Sequence, residues 1–334
     1  MPSSTSSRRH NGSSSHTDSR GLDRPGDLHG RPGRDCRCCV QIDWDIQTIQ
    51  DGQLSESLLE SCRSTGVVLK AKVGAERRVG LLPPTVQLRK TLGLWATMRP
   101  VSALPGIPAR FPDTDVIVIR ETSEDIYSGM EHQVTEGVFE AVKVTTRAAC
   151  ERIARFAYET ARARERSKVT IVHKSNIMKL SDGMFLRVAQ AVGAEFPDIQ
   201  TEEVIVDALC MRLVKNPAHF DVLLTGNLFG DIVSDLCAGL AGGITASPSA
   251  SFGEDIALFE NPHGDAPELV GTGKANPIPM IRTATLMLKH LGETEAADRI
   301  SAALCTVTQG GLSTTDQGGT AGCAEVQAAV IGAL

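Results

Sequence analysis

The 334-residue chain carries 34 Lys plus Arg against 40 Asp plus Glu, a formal net charge of −6. That acidic balance argues against nucleic acid or an anionic membrane as the main partner, and no apolar run approaches the ~20 residues of a membrane-spanning helix. With 41% hydrophobic residues the composition is that of a soluble globular protein, long enough for two lobes.

Residues 1–39 differ in kind from the rest of the chain, being rich in Ser, Arg, Gly, Pro and His. Too few apolar side chains are present to offset the entropy of ordering, so a disordered leader is expected. It has no apolar core of a secretory signal, and Asp18, Asp23, Asp27 and Asp35 count against a transit peptide despite the Ser and Arg content. The nine cysteines are odd in number and lack paired Cys-x-x-Cys spacing, which predicts reduced thiols. Cys36, Cys38, Cys39 and His29 have no second ligand pair to complete a zinc site.

From Val40 onward helix and strand signals alternate, the pattern of an α/β protein with crossover connections. A helix is predicted over 54–62 and a short buried strand over 66–70. Another strand is predicted over 115–120, and 146–167 reads as a surface helix with Ala149, Ile153, Phe156, Ala157 and Thr160 along one face. Strands at 169–172 and 220–224 each run directly into a polar motif. In open α/β sheets ligands lie beyond the carboxyl ends of such strands.

The most informative of those motifs is Asn227-Leu-Phe-Gly-Asp231-Ile-Val-Ser-Asp235, where a strand hands over to a helix. Four-residue spacing puts Asp231 and Asp235 on one helical face, where with Asp207 they could share a hard cation. Read alone, the pair is also an ordinary acidic helix start favoured by the dipole. Arg89, Arg99 and Arg120 lie at different element ends, and guanidinium groups bind carboxylates bidentately, so three converging on one site suit a polycarboxylate. Tyr127, one of two tyrosines, offers a phenol for proton donation. Lys174, in Val172-His-Lys174-Ser-Asn176, stands at a strand terminus where a lysine near cations can serve as a base. Carboxylate-binding arginines, metal-binding aspartates, a Lys and a Tyr together match oxidative decarboxylation of a 2-hydroxy acid. No Gly-x-Gly-x-x-Gly opens a helix after a strand, so a Rossmann dinucleotide site is not supported.

These motifs resemble the metal-dependent β-decarboxylating dehydrogenases, the isocitrate, isopropylmalate and homoisocitrate dehydrogenases. The resemblance runs from about Val40 to the C-terminus. The stretches 172–179, 227–240 and 120–132 look most like the NAD-dependent isocitrate dehydrogenases. It implies a two-lobed α/β/α fold rather than a Rossmann fold, one lobe joining 40–99 with 243–334 and the other spanning 100–242, with the active site in the cleft. It also implies a homodimer with shared sites. By position, Arg89, Arg99 and Arg120 would hold substrate carboxylates. Asp207, Asp231 and Asp235 would ligate Mg²⁺ or Mn²⁺, Asp207 arriving with Lys174 from the neighbouring subunit. Lys174 and Asp207 would assist deprotonation of the hydroxyl, and Tyr127 would protonate the enol carbon. NAD would lie against His263, Gly264, Glu268 and Asn276, with Asn176 also on the cofactor side. Glu268 at the adenosine ribose would accept from its hydroxyls and repel a 2′-phosphate. The compartment implied is the cytoplasm, with the mitochondrial matrix as the alternative.

The chain departs from the family pattern at its start, where Pro25-Gly-Asp-Leu-His-Gly-Arg-Pro-Gly33 stands in place of a Gly-Asp-Gly-Ile-Gly-Pro-Glu turn. Pro83 and Thr85 replace a Ser and an Asn that touch substrate in isocitrate enzymes, and Asp265 adds negative charge beside the expected cofactor. Isopropylmalate or homoisocitrate as substrate, and a non-catalytic regulatory subunit, therefore stand as alternatives.

Overall fold

A computed structural model of the protein describes residues 40–49, 52–73, 83–264 and 266–334. The leader, its Cys36, Cys38, Cys39 and His29, the 25–33 segment and Asp265 lie outside the described residues.

Ten strands form among the described residues: β1 Val67–Lys70, β2 Ala96–Ser102, β3 Asp115–Glu121, β4 Glu131–Thr135, β5 Val138–Ala141, β6 Lys168–His173, β7 Gln200–Ile205, β8 Val222–Thr225, β9 Ser249–Phe252 and β10 Ala257–Glu260. The helices are α1 Glu56–Thr65, α2 Pro84–Thr91, α3 Arg147–Ala163, α4 Ser181–Gly193, α5 Val206–Lys215, α6 Asn227–Leu240, α7 Ile278–His290, α8 Thr294–Gln309 and α9 Cys323–Gly332. Helix boundaries follow their capping chemistry. Ser55 Oγ accepts from the Leu58 N–H at 3.2 Å, and Gly66, left-handed at φ 69, ends α1, so that helix sits slightly later than 54–62. Thr146 caps α3 in the same way, but α3 stops at Ala163, where Glu165 turns left-handed at φ 54 and the Arg166 N–H closes onto the Ala161 carbonyl at 2.8 Å.

Eight strands form one sheet in the order β1-β10-β9-β2-β3-β8-β6-β7. Parallel pairing joins β3, β8, β6 and β7, and also β1 to β10, whereas β10, β9, β2 and β3 pair antiparallel. The sheet is therefore mixed. One side of it comes from the two ends of the described chain and the other from its middle, and the lobe boundary expected at 99/100 falls inside β2.

Alternation along the strands feeds two helical layers. Ile117, Ile119, Val222, Leu224, Ala257 and Phe259 pack toward α3, α4 and α7. On the other face Val116, Val118 and Leu223 meet α5 and α6, and Leu258 meets α1 and α2. Because β3 is covered on both sides, it reads as a continuous apolar run, Val116 to Ile119, before its polar end. The helices α7, α8 and α9 close a further cluster around Leu304 and Val326. The β4–β5 ribbon stands apart from the sheet, exposed along both strands.

Of the helices, α6 matters most for the site, and Gly230 lets it lie down. A Cβ there would fall against Thr225 Oγ1 and 2.6 Å from Arg120 Cγ. Gly230→Ala should therefore destabilise the fold by about 1–3 kcal/mol through overpacking, despite Ala's better helix propensity. Denaturant unfolding checks this, and an unchanged or raised midpoint would mean that the close seating is not required.

Candidate active site

Polar groups gather where β3 and β8 end and β2 begins, against the first turns of α6, with Arg99 in the middle of β2 rather than at an element end. Arg120, at the carboxyl end of β3, is buried. Its Nε and Nη2 donate to Asn227 Oδ1 at 3.0 and 2.7 Å, and its Nη1 donates to Asp231. Arg99 reaches the same helix from β2, donating to Ser234 Oγ at 2.6 Å and Asp235 Oδ1 at 2.7 Å, with Asp231 at 3.9 Å. The phenol of Tyr127 donates to Asp231 Oδ2 at 2.7 Å, and the Arg120 guanidinium lies over its ring, 5.1 Å from the centroid. Asp231 and Asp235 thus share a helical face, as their spacing predicts, and face two arginines.

Burial would raise the Asp231 pKa, yet the Arg120 guanidinium, the Tyr127 hydrogen bond and Arg99 together hold it below the ordinary carboxylate value. Tyr127 is shifted up by burial and by the carboxylate that accepts from it, so it keeps its proton. Arg120 is shifted down by burial, with Asp231 opposing and Arg99 and Arg89 adding repulsion. Arg89 therefore shares the field of this site, but its own bonds go to Glu260.

Glu260 is a residue that the sequence reading missed. It is 2% exposed at the end of β10, takes Arg89 Nε at 2.8 Å and forms an ion pair with Lys70 at 2.9 Å. Asn227 and Ser234 were missed as partners of Arg120 and Arg99. An acid closing an apolar strand, as in Ala257-Leu-Phe-Glu260, was the available signal for the first.

The turn carrying Tyr127 is a 3-10 segment, Ile126–Ser128, capped by Asp125. Asp125 is buried and adopts φ 80, ψ −158, a conformation costing a non-glycine residue about 1–3 kcal/mol. Its carboxylate accepts from the Ile126 N–H at 2.8 Å and the Leu228 N–H at 3.2 Å, so one side chain ties this turn to the start of α6.

Lys174 and Asp207 form a second group. Lys174 comes directly after β6 and donates to Asp207 Oδ1 at 2.6 Å, a bond that lowers the Asp207 pKa. Asp207 lies on α5, not beside Asp231 and Asp235, and among the described residues of one chain no three His, Cys, Asp or Glu gather as a metal cage. Two hard-oxygen donors one turn apart nevertheless suit Mg²⁺ or Mn²⁺. Asp235 is largely exposed, and Arg99 Nε is buried without a hydrogen-bond partner, an unspent donor beside it. The donor set fits a divalent ion and an anionic ligand together.

The residues expected around NAD lie along 263–276. The His263 carbonyl accepts from Lys72 at 2.7 Å, and its ring lies 2.8 Å from the Gly264 carbonyl. Glu268 is exposed on the 3-10 turn Pro267–Leu269. Asn276 accepts from the Ile278 N–H at the start of α7 and donates to Asp316 at 2.9 Å. Exposed acceptor oxygens of this kind suit ribose hydroxyls. Asn176 is exposed after β6, and among the described residues no hydrogen bond joins it to this loop.

A three-layer α/β sheet with acids, guanidinium groups and a protonated phenol gathered at one end of its parallel strands has the groups to bind an anion and to donate a proton. The family model described as isocitrate/isopropylmalate dehydrogenase matches residues 44–330. The chain belongs to that dehydrogenase family. It is 44% identical over 300 residues to isocitrate dehydrogenase [NAD] catalytic subunit 5, mitochondrial, of Arabidopsis thaliana, covering 87% of this chain and 80% of that one. It is 43% identical over 280 residues to the chloroplastic 3-isopropylmalate dehydrogenase of Solanum tuberosum, covering 81% and 78%. The crystal structure of isocitrate dehydrogenase from Methylococcus capsulatus superposes with a TM-score of 0.79 at 39% identity, covering 84% of this chain and 85% of that one.

Glu260 gives the site a stability signature. Burial alone would raise its pKa, but Arg89 and Lys70 bring it below the ordinary value, so its stabilisation is complete above the unfolded value of about 4.3 and fades as pH falls through the lower folded value. Glu260→Gln should lower stability at pH 7 by about 3–5 kcal/mol, because two cations lose a buried partner. The gap from wild type should narrow as pH drops below about 4. Unfolding midpoints measured across that range decide it; a pH-independent gap contradicts the assignment.

Proposed function

We propose that the protein oxidises and decarboxylates isocitrate to 2-oxoglutarate, with NAD as hydride acceptor and Mg²⁺ or Mn²⁺ as the metal. The observation that carries this reading is the cluster in which Arg99 and Arg120 face Asp231 and Asp235 with the Tyr127 phenol between them. Arg89, Arg99 and Arg120 bind and orient the substrate carboxylates. Asp231 and Asp235, with Asp207 of a second copy, would hold the metal, which would supply Lewis-acid polarisation of the substrate hydroxyl. Lys174 and Asp207, hydrogen-bonded to each other, would assist deprotonation of the hydroxyl. Tyr127, whose proton is retained by burial and by Asp231, delivers one to the enol carbon. NAD supplies hydride acceptance against the 263–276 loop, where Glu268 offers its carboxylate to ribose hydroxyls and repels a 2′-phosphate.

The second copy is part of the proposal, because Asp207 and Lys174 sit apart from Asp231 in one chain. Its surface is the exposed ribbon bearing Val134, Val138 and Phe139, together with Met211 and Val214 on α5 and Ile232 on α6. Apolar groups in such numbers belong under a partner. The cleft lies between a lobe of 40–99 plus 243–334 and a lobe of 100–242. Among the described residues no helix is long and apolar enough to cross a membrane, and buried free Cys62, Cys150 and Cys237 suit a reducing compartment, cytoplasm or mitochondrial matrix.

Isopropylmalate or homoisocitrate is the second reading, kept open by Pro83 and Thr85, which stand where isocitrate enzymes carry a Ser and an Asn. Both sit at the start of α2, four or more residues before Arg89 on the same helix, and Pro83 brings no side-chain donor to the substrate side. NADH absorbance with Mn²⁺, NAD and each of the three hydroxy acids separates the readings. Binding of isocitrate without turnover on any of them would instead indicate a regulatory subunit.

Asp231→Asn should reduce Mn²⁺-dependent turnover by a factor of about 10² or more while NAD affinity measured by calorimetry holds. Survival of turnover would remove Asp231 from the ligand set. For the cofactor, Glu268→Lys should move the NAD-to-NADP ratio of kcat/KM toward NADP by about tenfold, since one repulsive charge becomes attractive. An unmoved ratio would clear Glu268 of any part in selection.

A further inference from the structure

Lys143 lies outside the substrate, metal and cofactor groups, in the loop between β5 and α3, yet its ammonium sits between two nearly buried carboxylates. It is 3.0 Å from Asp125 Oδ2 and 3.6 Å from Asp182 Oδ1, whose side chains are 5% and 6% exposed. Among the described residues Lys143 is the one cation paired with either acid. Its position is fixed from two further directions. The neighbouring Val144 carbonyl accepts from the Asp125 N–H at 3.0 Å, and the Phe229 ring stands 5.9 Å from the ammonium.

Each of the two acids holds part of the reaction machinery through backbone N–H groups. Asp125 accepts from Ile126, the first residue of the turn bearing Tyr127, and from Leu228 in the first turn of the helix bearing Asp231 and Asp235. Asp182, in the first turn of α4, accepts from the N–H of Lys174 itself at 2.7 Å. Glu121 and Glu124 line the same small cavity as Lys143, Asp125 and Asp182. Two acids thus flank the ammonium and two more line its cavity. Without it, Asp125 and Asp182 would confront each other in a poorly solvated space, where like charges repel strongly.

We infer that Lys143 is a positioning residue: shared between Asp125 and Asp182, its ammonium keeps the Tyr127 turn, the α6 start and the Lys174 loop in one register. This rests on the proposed roles of Tyr127 and Lys174. It adds to them a group that touches neither substrate nor metal, placed where a loss of registration reaches both proton-handling residues at once. The carboxylate-binding arginines take their own partners, Asn227, Ser234, Asp235 and Glu260, none of them bonded to Lys143. Loss of Lys143 therefore bears on the chemical step more than on substrate affinity.

The test compares the full-length wild type with Lys143→Met, Lys143→Arg and the double variant Lys143→Met with Asp182→Asn. Assays use Mn²⁺, NAD and whichever of the three hydroxy acids turns over. Lys143→Met should lose about 10- to 100-fold in kcat, the scale of an ångström-sized misplacement, with KM for the hydroxy acid little changed. Lys143→Arg should recover most of the loss. Asp182→Asn keeps an acceptor oxygen for the Lys174 N–H while removing one of the opposed charges, so it should relieve the defect in the Lys143→Met background. A second readout does not depend on activity. Amide exchange at Ile126, Lys174 and Leu228 should accelerate in Lys143→Met while α3 core amides hold. Unchanged kcat, a rise confined to KM, or no relief by Asp182→Asn would overturn the inference. Should wild type turn over none of the substrates, the functional reading fails and exchange alone decides, unchanged protection at the three amides refuting the role of Lys143. If Lys143→Met does not fold, the same exchange comparison is made between wild type, Lys143→Arg and the double variant. Loss of protection in Lys143→Arg, or an unfolded double variant, counts against the inference.

Discussion

The guanidinium of Arg120 is the interaction on which the rest of the site depends. Buried at the end of β3, it divides its donors between Asn227 and Asp231, the first and fifth residues of α6. A guanidinium in that position without acceptors would be destabilising by several kcal/mol, so the strand and the helix are locked in relative position. Close approach then becomes obligatory, which is why Gly230 packs against Arg120 itself. The same contact settles the chemistry of Asp231, held ionised against the effect of burial and bonded to a phenol that keeps its proton. Structure and reactivity are here two consequences of one ion pair.

Around this contact the charges are nearly matched: Arg89 with Glu260, Arg99 with Asp235, Arg120 with Asp231. Matched pairs explain how three arginines tolerate one another in a partly buried region. They also bear on the proposed chemistry. A divalent ion would compete with Arg99 and Arg120 for Asp231 and Asp235, and a polyanionic substrate would offer those guanidiniums new partners. In the proposed reaction metal and substrate would then be complementary arrivals, each taking one half of a pair. Glu260 differs, because it is buried too deeply to exchange partners, and Arg89 stays paired with it.

Much of this was legible in the residues themselves. The Asn227–Asp235 motif announced a helix start with two acids on one face, and the apolar run before Arg120 announced a buried strand ending in a cation. Long-range pairing was not legible. Arg89 and Glu260 are 171 residues apart, and nothing in either neighbourhood names the other. The same limit applied to the sheet, where β9 and β10, late in the chain, insert between β1 and β2 and add antiparallel pairs to the one between β2 and β3. Lys143 was invisible for a different reason. It lies in a polar loop without periodicity, and a solvated lysine and a lysine between two buried acids are the same letter until the fold brings Asp125 and Asp182 to it.

The remaining question is why Lys174 and Asp207 should form so exposed a pair. Asp207 has a side-chain exposure of 69%, and an ion pair so open to solvent adds too little stability to account for its geometry. Beneath it the chain is more firmly ordered. The Lys174 N–H is fixed by Asp182, and the loop after it closes through the Ile177 and Met178 N–H groups onto the Lys174 carbonyl. Rigid backbone under an exposed, weakly bound pair of charges is what a group presented to another surface requires, since its side chains must be free to change partner while their origin stays fixed. Exposed Ile177 and Leu180 flank that loop, and Met211 and Val214 come after Asp207 on α5. Apolar residues framing a charged pair at the surface suit an interface that would bury the rim and leave the charges facing a site on the opposing copy, the arrangement that the proposed two-chain centre demands.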